Sequence, residues 1–524
     1  MSTDATTIVV FLLIVAITLG ITVWASRRNK DASQHYVAGG EIKGWQNGLA
    51  LTGDYLSAAT FLGYTGLIAV AGFSAFYLMI GATVGLLIML LLIAEPLRNL
   101  GRYTIGDALT SRFNAKGVRA AAALTTVAIS IPYLITQLVG AGSLFELLMG
   151  VDYAVAVIVI GVLIAIYITA GGMVAATWIQ IVKAVLLISA FLVITLLVLS
   201  RFGFNPFAVF NEASATLGGG ALTPPHGTLE GLGWMSFALA LFLGVPGLPH
   251  VLIRFFTVPD AQAARSSLAV MIWISVLAIA TIPIIGYGAA LLVGQDAIAE
   301  AGEGGNLAVP LLSEILGGPV LFAYVSAITF ATILAVMAGL VIAASGAFAH
   351  DLYNQVIRNG EASEREQLRA GRIAAALIVI LSLLLSLGLQ NVNIAILVAV
   401  PLVIAASANT PVILLLLYWK GFTTTGAVVG MLTGLVASLG LVLLGPTVMG
   451  ENAIFPLPNP ALVSVPLGFL GCYLGTVLSG SRAREERERG RQVSYNEIHV
   501  RYNTGISSIE EELEGARVRE GSRT

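Results

Sequence analysis

The sequence predicts an all-α polytopic membrane protein with thirteen transmembrane helices. Of its 524 residues, 57% are hydrophobic and 11% are charged, whereas an average soluble chain is about 25% charged. Thirteen apolar runs are long enough to cross a bilayer, because a transmembrane helix needs about 20 mostly apolar residues. Lys and Arg between these runs concentrate on alternate sides, as they do in inserted membrane proteins.

The runs are numbered as spans 1 to 13 in chain order. They cover residues 7–25, 46–72, 73–96, 118–149, 153–172, 174–200, 232–253, 266–293, 318–350, 372–390, 392–418, 423–444 and 460–480. Span 1 reads as an anchor with its N-terminus outside, because positive charge follows this run rather than preceding it. The residues that show this are Arg27, Arg28 and Lys30.

The distribution of basic residues then predicts the topology of the whole chain. With the N-terminus outside, only Arg201 falls in an outer loop and only Lys183 falls inside a span. The remaining Lys and Arg residues are expected on the cytoplasmic side. Among them are Arg98, Arg112, Arg119, Arg254 and nine arginines of the tail. The C-terminus is therefore expected in the cytoplasm.

Several classes of function are disfavoured. A single cysteine, Cys472, excludes a disulfide framework, and a net charge of −2 gives no basic surface for nucleic acid. No GxxxxGK[ST] loop is present, so ATP is not expected to drive the protein. A membrane-embedded enzyme is disfavoured because no constellation of catalytic residues lies at one depth. No cofactor is expected, the bilayer is the expected surrounding, and the oligomeric state stays open.

Asp54 is a carboxylate expected close to the middle of the membrane. It follows Lys43 by eleven residues, which is about 16 Å along a helix. A charge at this depth costs at least about 2.5–3.5 kcal/mol on insertion scales, so it usually has a function. The alternative is an Asp that only fixes helix packing. Gly53 and the neighbouring hydroxyls favour unwinding of span 2 at this point.

Lys183 is the other charged residue inside a span. In span 6 it either serves a function or extends its amine to the membrane interface by snorkelling.

A second break is expected in span 7, where Pro246 and Pro249 alternate with Gly244 and Gly247 before His250. Two prolines and two glycines within six residues cannot stay regular helix, and irregular backbone survives at this depth only where it is buried or lines a cavity. Broken helices at matching positions of two halves indicate a transporter built from inverted repeats. Five spans in each unit invert the second unit relative to the first.

The predicted organisation follows from this spacing. It comprises an N-terminal anchor and loop (1–45), repeat 1 (46–200), an outer loop (201–231), repeat 2 (232–420), two peripheral helices (421–480) and a charged tail (481–524).

The chemistry of the breaks fits a small anion. The half-helix after Pro249 and the half-helix starting near Ser57 and Thr60 are expected to present unpaired N–H groups and positive dipole ends at mid-membrane. Tyr133 and Gln137 on span 4 are candidates for further hydrogen bonds, although polar side chains between helices are often structural. The predicted substrate-binding residues are Ser57, Thr60, Tyr133, Gln137, Gly244, Gly247 and His250.

The chain resembles the sodium:solute symporter family, with a LeuT-like 5+5 core, and within it the cation/acetate symporters. The resemblance rests on five stretches within about residues 35–420, which begin at Asn47, Arg102, Gln137, Gly247 and Ala343 and include Gly-Asp-Tyr at Asp54 and Gly-Leu-Pro-His at His250. It implies import of acetate and related monocarboxylates across a prokaryotic inner membrane. The alternatives are a passive acetate or acetic acid channel and a symporter of the same fold for another small organic solute.

The resemblance also implies a cation site, from which this sequence departs. The family site uses carbonyls near Thr52 and Tyr55 plus hydroxyls on span 9, where an ungapped alignment places Ala335 and Val336. Neither side chain can ligate sodium. Thr329 and Thr332 restore a sodium site if the alignment slips by a turn. Otherwise Asp54 and Lys183 are the predicted proton-coupling pair, because Lys183 lies three residues after Gln180, which occupies the family's acidic position. The co-transported cation is therefore H+ or Na+.

Overall fold

The computed structural model describes residues 38–505 except 102–103, 171–172, 303, 391 and 481–492, together with isolated residues between 9 and 20. Most of span 1, the loop bearing Arg27, Arg28 and Lys30, and the alternating Arg/Glu part of the tail lie outside the described residues. Within the described part every regular element is helical and no strand occurs. The all-α prediction is confirmed.

The helices follow the predicted spans closely. Spans 2 to 6 correspond to Gly44–Tyr55 continued by Ala59–Tyr64 and Thr65–Ala71, Ala75–Ile88 continued to Leu100, Lys116–Met149, Tyr153–Ala170 and Met173–Arg201. Spans 7 to 13 correspond to Thr228–Gly244 with a short continuation, Ala261–Leu292, Ala308–Gly346 continued to Ile357, Glu364–Ser386, Ile394–Tyr418, Thr424–Leu443 and Ala461–Leu478. Helices outside the spans include Ile105–Thr110, Pro206–Leu217, Gln295–Ala301 and Tyr495–Thr504.

Ten helices of the described chain are long and apolar enough to cross a membrane. The count of thirteen is not confirmed, for three reasons. Most of span 1 is not described. The part of span 2 after its break and span 3 form one stretch, Ala59–Leu100, and span 5 contributes only a shorter apolar helix, Tyr153–Ile164. The protein is a multi-pass membrane protein.

Span 2 is interrupted where the sequence predicts it. Its first helix ends at Tyr55, the Leu56 amide donates to the Thr52 carbonyl (2.8 Å), and the chain resumes as a π-helix over Ala59–Tyr64. Gly53 allows close packing just before the break, because a Cβ there would lie 2.4 Å from the Gln180 carbonyl oxygen. Span 2 therefore contacts span 6 through bare backbone.

The break in span 7 is present, and its continuation is only partly α-helical. After Gly244 come a 3-10 turn (Val245–Gly247), four α-helical residues (Pro249–Leu252) and a second 3-10 segment (Ile253–Thr257). The half-helix expected after the break is therefore present as a short α and 3-10 stretch, Pro249–Thr257, and its action as a positive dipole end stays a prediction. Pro249 is at the start of this stretch, a position where the missing N–H of proline costs nothing.

Two glycines of this break pack against span 11. A Cβ on Gly244 would lie 2.4 Å from the Leu402 carbonyl oxygen, and one on Gly247 would lie 2.5 Å from the Thr410 hydroxyl. The Asn409 amide also donates to the Gly247 carbonyl (2.9 Å). Span 11 thus satisfies irregular backbone that would otherwise be costly in the membrane.

A stripe of glycines along span 12, formed by Gly426, Gly430 and Gly434, packs this helix against spans 13 and 11. Cβ atoms on Gly426 and Gly430 would collide with Thr476 and Cys472 of span 13, and one on Gly434 would collide with the Ser407 carbonyl. Small residues allow helices to approach closely in lipid. The stripe is therefore occupied within the chain, and Cys472 is buried in that contact.

Candidate functional site

Asp54 lies where four spans meet. It ends the first half of span 2 and is buried, with 2% of its side chain exposed. Gln180 of span 6 donates its amide to Asp54 Oδ1 (2.6 Å), and Arg254 of span 7 donates Nε to Oδ2 (2.6 Å). A Cβ on Gly339 of span 9 would lie 3.5 Å from Oδ1. Both carboxylate oxygens therefore have side-chain donors.

Arg254 is an interior residue, not the surface residue that charge counting predicts. Its side chain is 1% exposed, and its Nη1 donates to the Thr177 hydroxyl of span 6 (2.7 Å). The Asn47 amide and the Thr257 hydroxyl hold the Arg254 carbonyl (3.1 and 2.7 Å). The 3-10 segment after the break turns the guanidinium inward, so proximity to a span end does not place this arginine in solvent. Arg112 is likewise fully buried.

The amine of Lys183 points into the bundle. It donates to the Gly53 carbonyl and is 2% exposed. A snorkelling lysine would place its amine at the membrane surface, so that alternative is wrong for the described structure. Lys183 and Arg254 therefore contact adjacent residues, Gly53 and Asp54, in the first helix of span 2 before its break. The proton-coupling role of Lys183 stays a prediction.

The predicted substrate residues gather next to this group, at the breaks. Ser57 and Thr60 follow Asp54 and bond to the Tyr55 carbonyl through the Ser57 amide (2.9 Å) and the Thr60 hydroxyl (3.3 Å). The Tyr133 ring of span 4 lies 5.1 Å from the His250 ring of span 7, centroid to centroid.

Several polar atoms here are buried without a hydrogen-bond partner in the described part of the chain. They are the Tyr55 hydroxyl, both ring nitrogens of His250 and both amide atoms of Gln137. Buried polar groups are hydrogen-bonded in more than nine cases of ten, so a concentration of exceptions indicates a place for a polar ligand or water. Gly244 and Gly247 face span 11 instead, as described above.

The candidate sodium ligands Thr52, Thr329 and Thr332 are buried, and the cation site that they would form stays a prediction. The Thr329 hydroxyl donates to the Val325 carbonyl (2.8 Å) and the Thr332 hydroxyl has no partner among the described residues. Thr332 precedes Gly339, the residue beside Asp54, by seven positions, which is about 10 Å along the helix. The Thr52 carbonyl accepts the Leu56 amide. Both carboxylate oxygens of Asp54 and the Gly53 carbonyl therefore accept from side-chain donors of spans 6 and 7, whereas the Thr52 carbonyl accepts from a backbone amide.

A cavity of about 350 Å³ lies at the end of span 4 distant from Arg119. Its lining includes Ser143, Glu146, Glu300, Asn306 and Gln390, and the Gln390 amide donates to Glu146 (2.8 Å). Ser143 follows Gln137 by six residues, about 9 Å along the same helix. The cavity therefore lies about 9 Å along span 4 from Gln137.

Comparisons with known proteins agree with this architecture. The Sodium:solute symporter family model matches residues 35–434. A protein named "Uncharacterized symporter YwcA" from Bacillus subtilis is 49% identical over 519 residues, covering 97% of this chain and all of that one. A "Monocarboxylic acid transporter" from Corynebacterium glutamicum is 42% identical over 505 residues, covering 90% of each chain.

Solved structures show the same fold at low identity. A substrate-bound, outward-open Na+-coupled sialic acid symporter superposes with a TM-score of 0.73 at 16% identity, covering 92% of this chain and 98% of that chain. Mhp1, a nucleobase-cation-symport-1 family transporter, superposes with a TM-score of 0.57 at 12% identity, covering 90% and 99%. These similarities support the LeuT-like arrangement and say nothing of the cargo.

The chain belongs to the sodium:solute symporter family. Membership assigns it to the transporters rather than to the enzymes, in agreement with relatives that are named a symporter and a transporter.

Sequence reasoning missed the two strongest partners of Asp54, which are Arg254 and Gln180. One signal was available: a carboxylate at mid-membrane needs a partner, and Arg254 lies only four residues beyond His250, one turn past the break.

Proposed function

We propose that this protein imports acetate and related short-chain monocarboxylates together with a proton, by alternating access. The observation that carries the proposal is the buried trio of Asp54, Arg254 and Lys183 beside unpartnered polar groups at two helix breaks. The family model supports the symport class, and the Corynebacterium relative supports a monocarboxylate as cargo.

Charge balance links the trio to an anionic substrate. Asp54 and Arg254 neutralise one another, so the trio is neutral when the Lys183 amine is unprotonated and carries one positive charge when it is protonated. Charges interact strongly in a low-dielectric interior. A bound monocarboxylate is therefore most stable when Lys183 holds a proton, and its release favours loss of that proton. One proton then accompanies one carboxylate.

The same contacts disfavour sodium at Asp54. Sodium, as a hard cation, needs several oxygen ligands, as other hard cations do. Here Lys183 takes the Gly53 carbonyl, Arg254 takes Asp54 Oδ2 and Gln180 takes Oδ1. A sodium ion would have to displace two cationic side chains. The side chains of Lys183 and Arg254 thus take the place of the sodium ion that the family name suggests.

The path of the substrate follows from the positions of the polar groups. We propose entry through the cavity lined by Glu146 and Gln390, followed by binding near Tyr55, Tyr133, Gln137 and His250. The asymmetry of basic residues supports an N-terminus outside and a C-terminus in the cytoplasm, and the two bacterial relatives support the inner membrane of a prokaryote. No resident cofactor is required, because the co-transported proton supplies the driving force.

The proposal is tested with purified protein in liposomes. Concentrative uptake of labelled acetate that an ionophore collapses indicates a coupled carrier. Uptake that only equilibrates the two sides indicates a passive channel and contradicts the proposal. Competition by propionate, pyruvate and glyoxylate, which differ by a methyl group or an oxygen, defines the accepted acids. Failure of every short acid to compete, with uptake of a different solute, indicates the third alternative.

A further inference from the structure

We infer that the C-terminal segment, residues 493–505, is a strap that restrains opening of the face on which it lies. Its central element is Tyr495–Thr504, called the tail helix below. The Ser494 hydroxyl caps this helix by accepting the Glu497 amide (3.2 Å), and Ile498 and Tyr502 are buried. The inference rests on the proposed alternating-access function. It adds a device that regulates the conformational step.

Two groups of helix ends lie on this face, each held together by an arginine. In the first group, Arg98 at the end of span 3 donates to the carbonyls of Val258 and Pro259 after span 7 (2.7 and 2.8 Å). The distal parts of spans 3 and 7 are thus joined. Span 2 belongs with them, because the Ile42 amide donates to the Thr257 carbonyl (3.0 Å).

The second group contains spans 4, 9 and 11. Arg119 of span 4 bridges Asp107 of the loop helix Ile105–Thr110 and Asp351 of span 9 (2.7 and 2.8 Å). Burial raises the pKa of Asp107, but hydrogen bonds and charges from His350 and Arg119 outweigh it and lower that pKa to about 2, so the carboxylate is ionised at neutral pH.

Arg112, just after the loop helix, ties the end of span 11 into this second group. Its guanidinium donates to the Leu416 and Lys420 carbonyls (2.6 and 2.9 Å). Because orphan carbonyls at a helix end need donors, Arg112 caps span 11 and couples it to the loop.

The tail helix spans the two groups. On the first group, the Asn99 amide of span 3 donates to the Tyr502 carbonyl (2.8 Å). On the second, the Val493 amide donates to the Arg112 carbonyl (3.0 Å) and the Arg112 guanidinium lies 5.3 Å from the centre of the Tyr495 ring. The Tyr418 ring of span 11 also lies 6.3 Å from the Tyr502 ring.

Alternating access moves one set of helices against another around a fixed site. If the two arginine-linked groups are the units that separate when this face opens, the contacts of Asn99 and Arg112 with the strap must stretch or break. The strap therefore favours the closed state of this face and slows its opening. Opening of a gate limits the turnover of many proteins, so loss of the strap increases the transport rate.

The test uses full-length protein, a variant lacking residues 493–524 and the point variant Tyr502→Ala. Val500→Ala is the matched control, because Val500 is on the same helix with 53% of its surface exposed. We expect truncation and Tyr502→Ala to raise the maximal uptake rate at least about threefold, because both remove the contact of the Tyr502 ring with the Tyr418 ring, and a factor of this size is within reach of one lost aromatic pair. Val500→Ala should leave it unchanged.

Hydrogen exchange gives a second measurement that needs no substrate. Amides of residues 94–100 and 410–418 should exchange faster in truncated protein and in Tyr502→Ala, because both helix ends lose packing against the tail helix and keep the direct bond from the Tyr418 hydroxyl to the Leu92 carbonyl (2.7 Å). Unchanged exchange, or a slower uptake rate, overturns the strap. If the full-length protein carries no monocarboxylate but exchange still rises, the strap stands and the proposed substrate fails. If uptake is active but neither hydrogen exchange nor the uptake rate changes in the tail variants, the transport proposal stands and the strap fails.

Discussion

Arg254 and Asp54, 200 residues apart in the sequence, form a buried ion pair of 2.6 Å that joins the two broken helices. Removing one partner of a buried pair leaves the other charge uncompensated, at a cost of about 3–5 kcal/mol. The pair therefore holds spans 2 and 7 together and fixes the charge of the site.

Asp54→Asn should abolish gradient-driven uptake, because it leaves Arg254 as an unbalanced positive charge. It should also lower the thermal stability of the detergent-solubilised protein. Asp54→Asn combined with Arg254→Gln removes both charges and should recover stability better than either single variant. The measurement is thermal unfolding together with acetate uptake. Full concentrative uptake by Asp54→Asn would remove Asp54 from the mechanism.

Arg254→Lys tests the geometry of the pair at constant charge. The arginine fork bonds Asp54 and Thr177 at once through Nε and Nη1, whereas an ammonium group is a compact point charge. We expect uptake to fall at least about tenfold, which corresponds to roughly 1.4 kcal/mol, while the protein stays folded. Arg265→Lys is the control, because the Arg265 side chain is 65% exposed. Equal uptake by Arg254→Lys and the control variant would show that charge alone suffices.

Lys183→Gln tests the proton-coupling residue. Without an amine the site cannot gain a positive charge, so a carboxylate at this depth stays uncompensated at a cost of at least about 2.5–3.5 kcal/mol. Uptake driven by a pH gradient should therefore fall about a hundredfold. Arginine at this position keeps the charge but cannot release its proton, so Lys183→Arg should bind substrate without accumulating it. Coupled uptake by either variant would exclude Lys183 as the proton carrier.

Gly53→Ala tests the close contact of spans 2 and 6. The added Cβ would lie 2.4 Å from the Gln180 carbonyl oxygen and 2.8 Å from Gln180 Oε1, so the helices must separate and the Lys183 contact is lost. We expect greatly reduced uptake in protein that still reaches the membrane. The matched control is Gly440→Ala in span 12, where a Cβ meets nothing within 4 Å. Uptake by Gly53→Ala equal to that of Gly440→Ala would contradict the packing argument.

The sequence predicts the breaks well because their causes are local. Pro246, Pro249 and their glycines cannot form regular helix whatever surrounds them, and a carboxylate at the depth of Asp54 is costly without a partner. The inward direction of Arg254 is not local, since it depends on a 3-10 segment and on Thr177 and Asn47 from other spans. A rule that assigns every arginine near a span end to the cytoplasm cannot detect it.

The same contrast explains Gly244 and Gly247. Their sequence pattern predicts an irregular backbone, which the structure has, but not which surface they face. Span 11 decides which surface they face: Leu402 lies so close to Gly244, and Thr410 so close to Gly247, that neither glycine has room for a methyl group. The level at which spans 2 and 9 meet is also decided by distant packing: Gly339 of span 9 lies beside Asp54 of span 2, which neither stretch of sequence specifies on its own.

Uptake in sodium-free medium tests most directly whether transport is coupled to protons at Asp54, where Lys183 and Arg254 leave no room for sodium. Labelled pyruvate is the best probe. Pyruvic acid is stronger than acetic acid, so a smaller fraction is in the neutral form that crosses lipid without a carrier. Proteoliposomes are given an inward proton gradient, with empty liposomes and the Lys183→Gln variant as controls. Accumulation above equilibrium in the full-length protein alone, unchanged by added sodium, is the predicted result. Uptake that requires sodium and ignores the proton gradient would contradict the account.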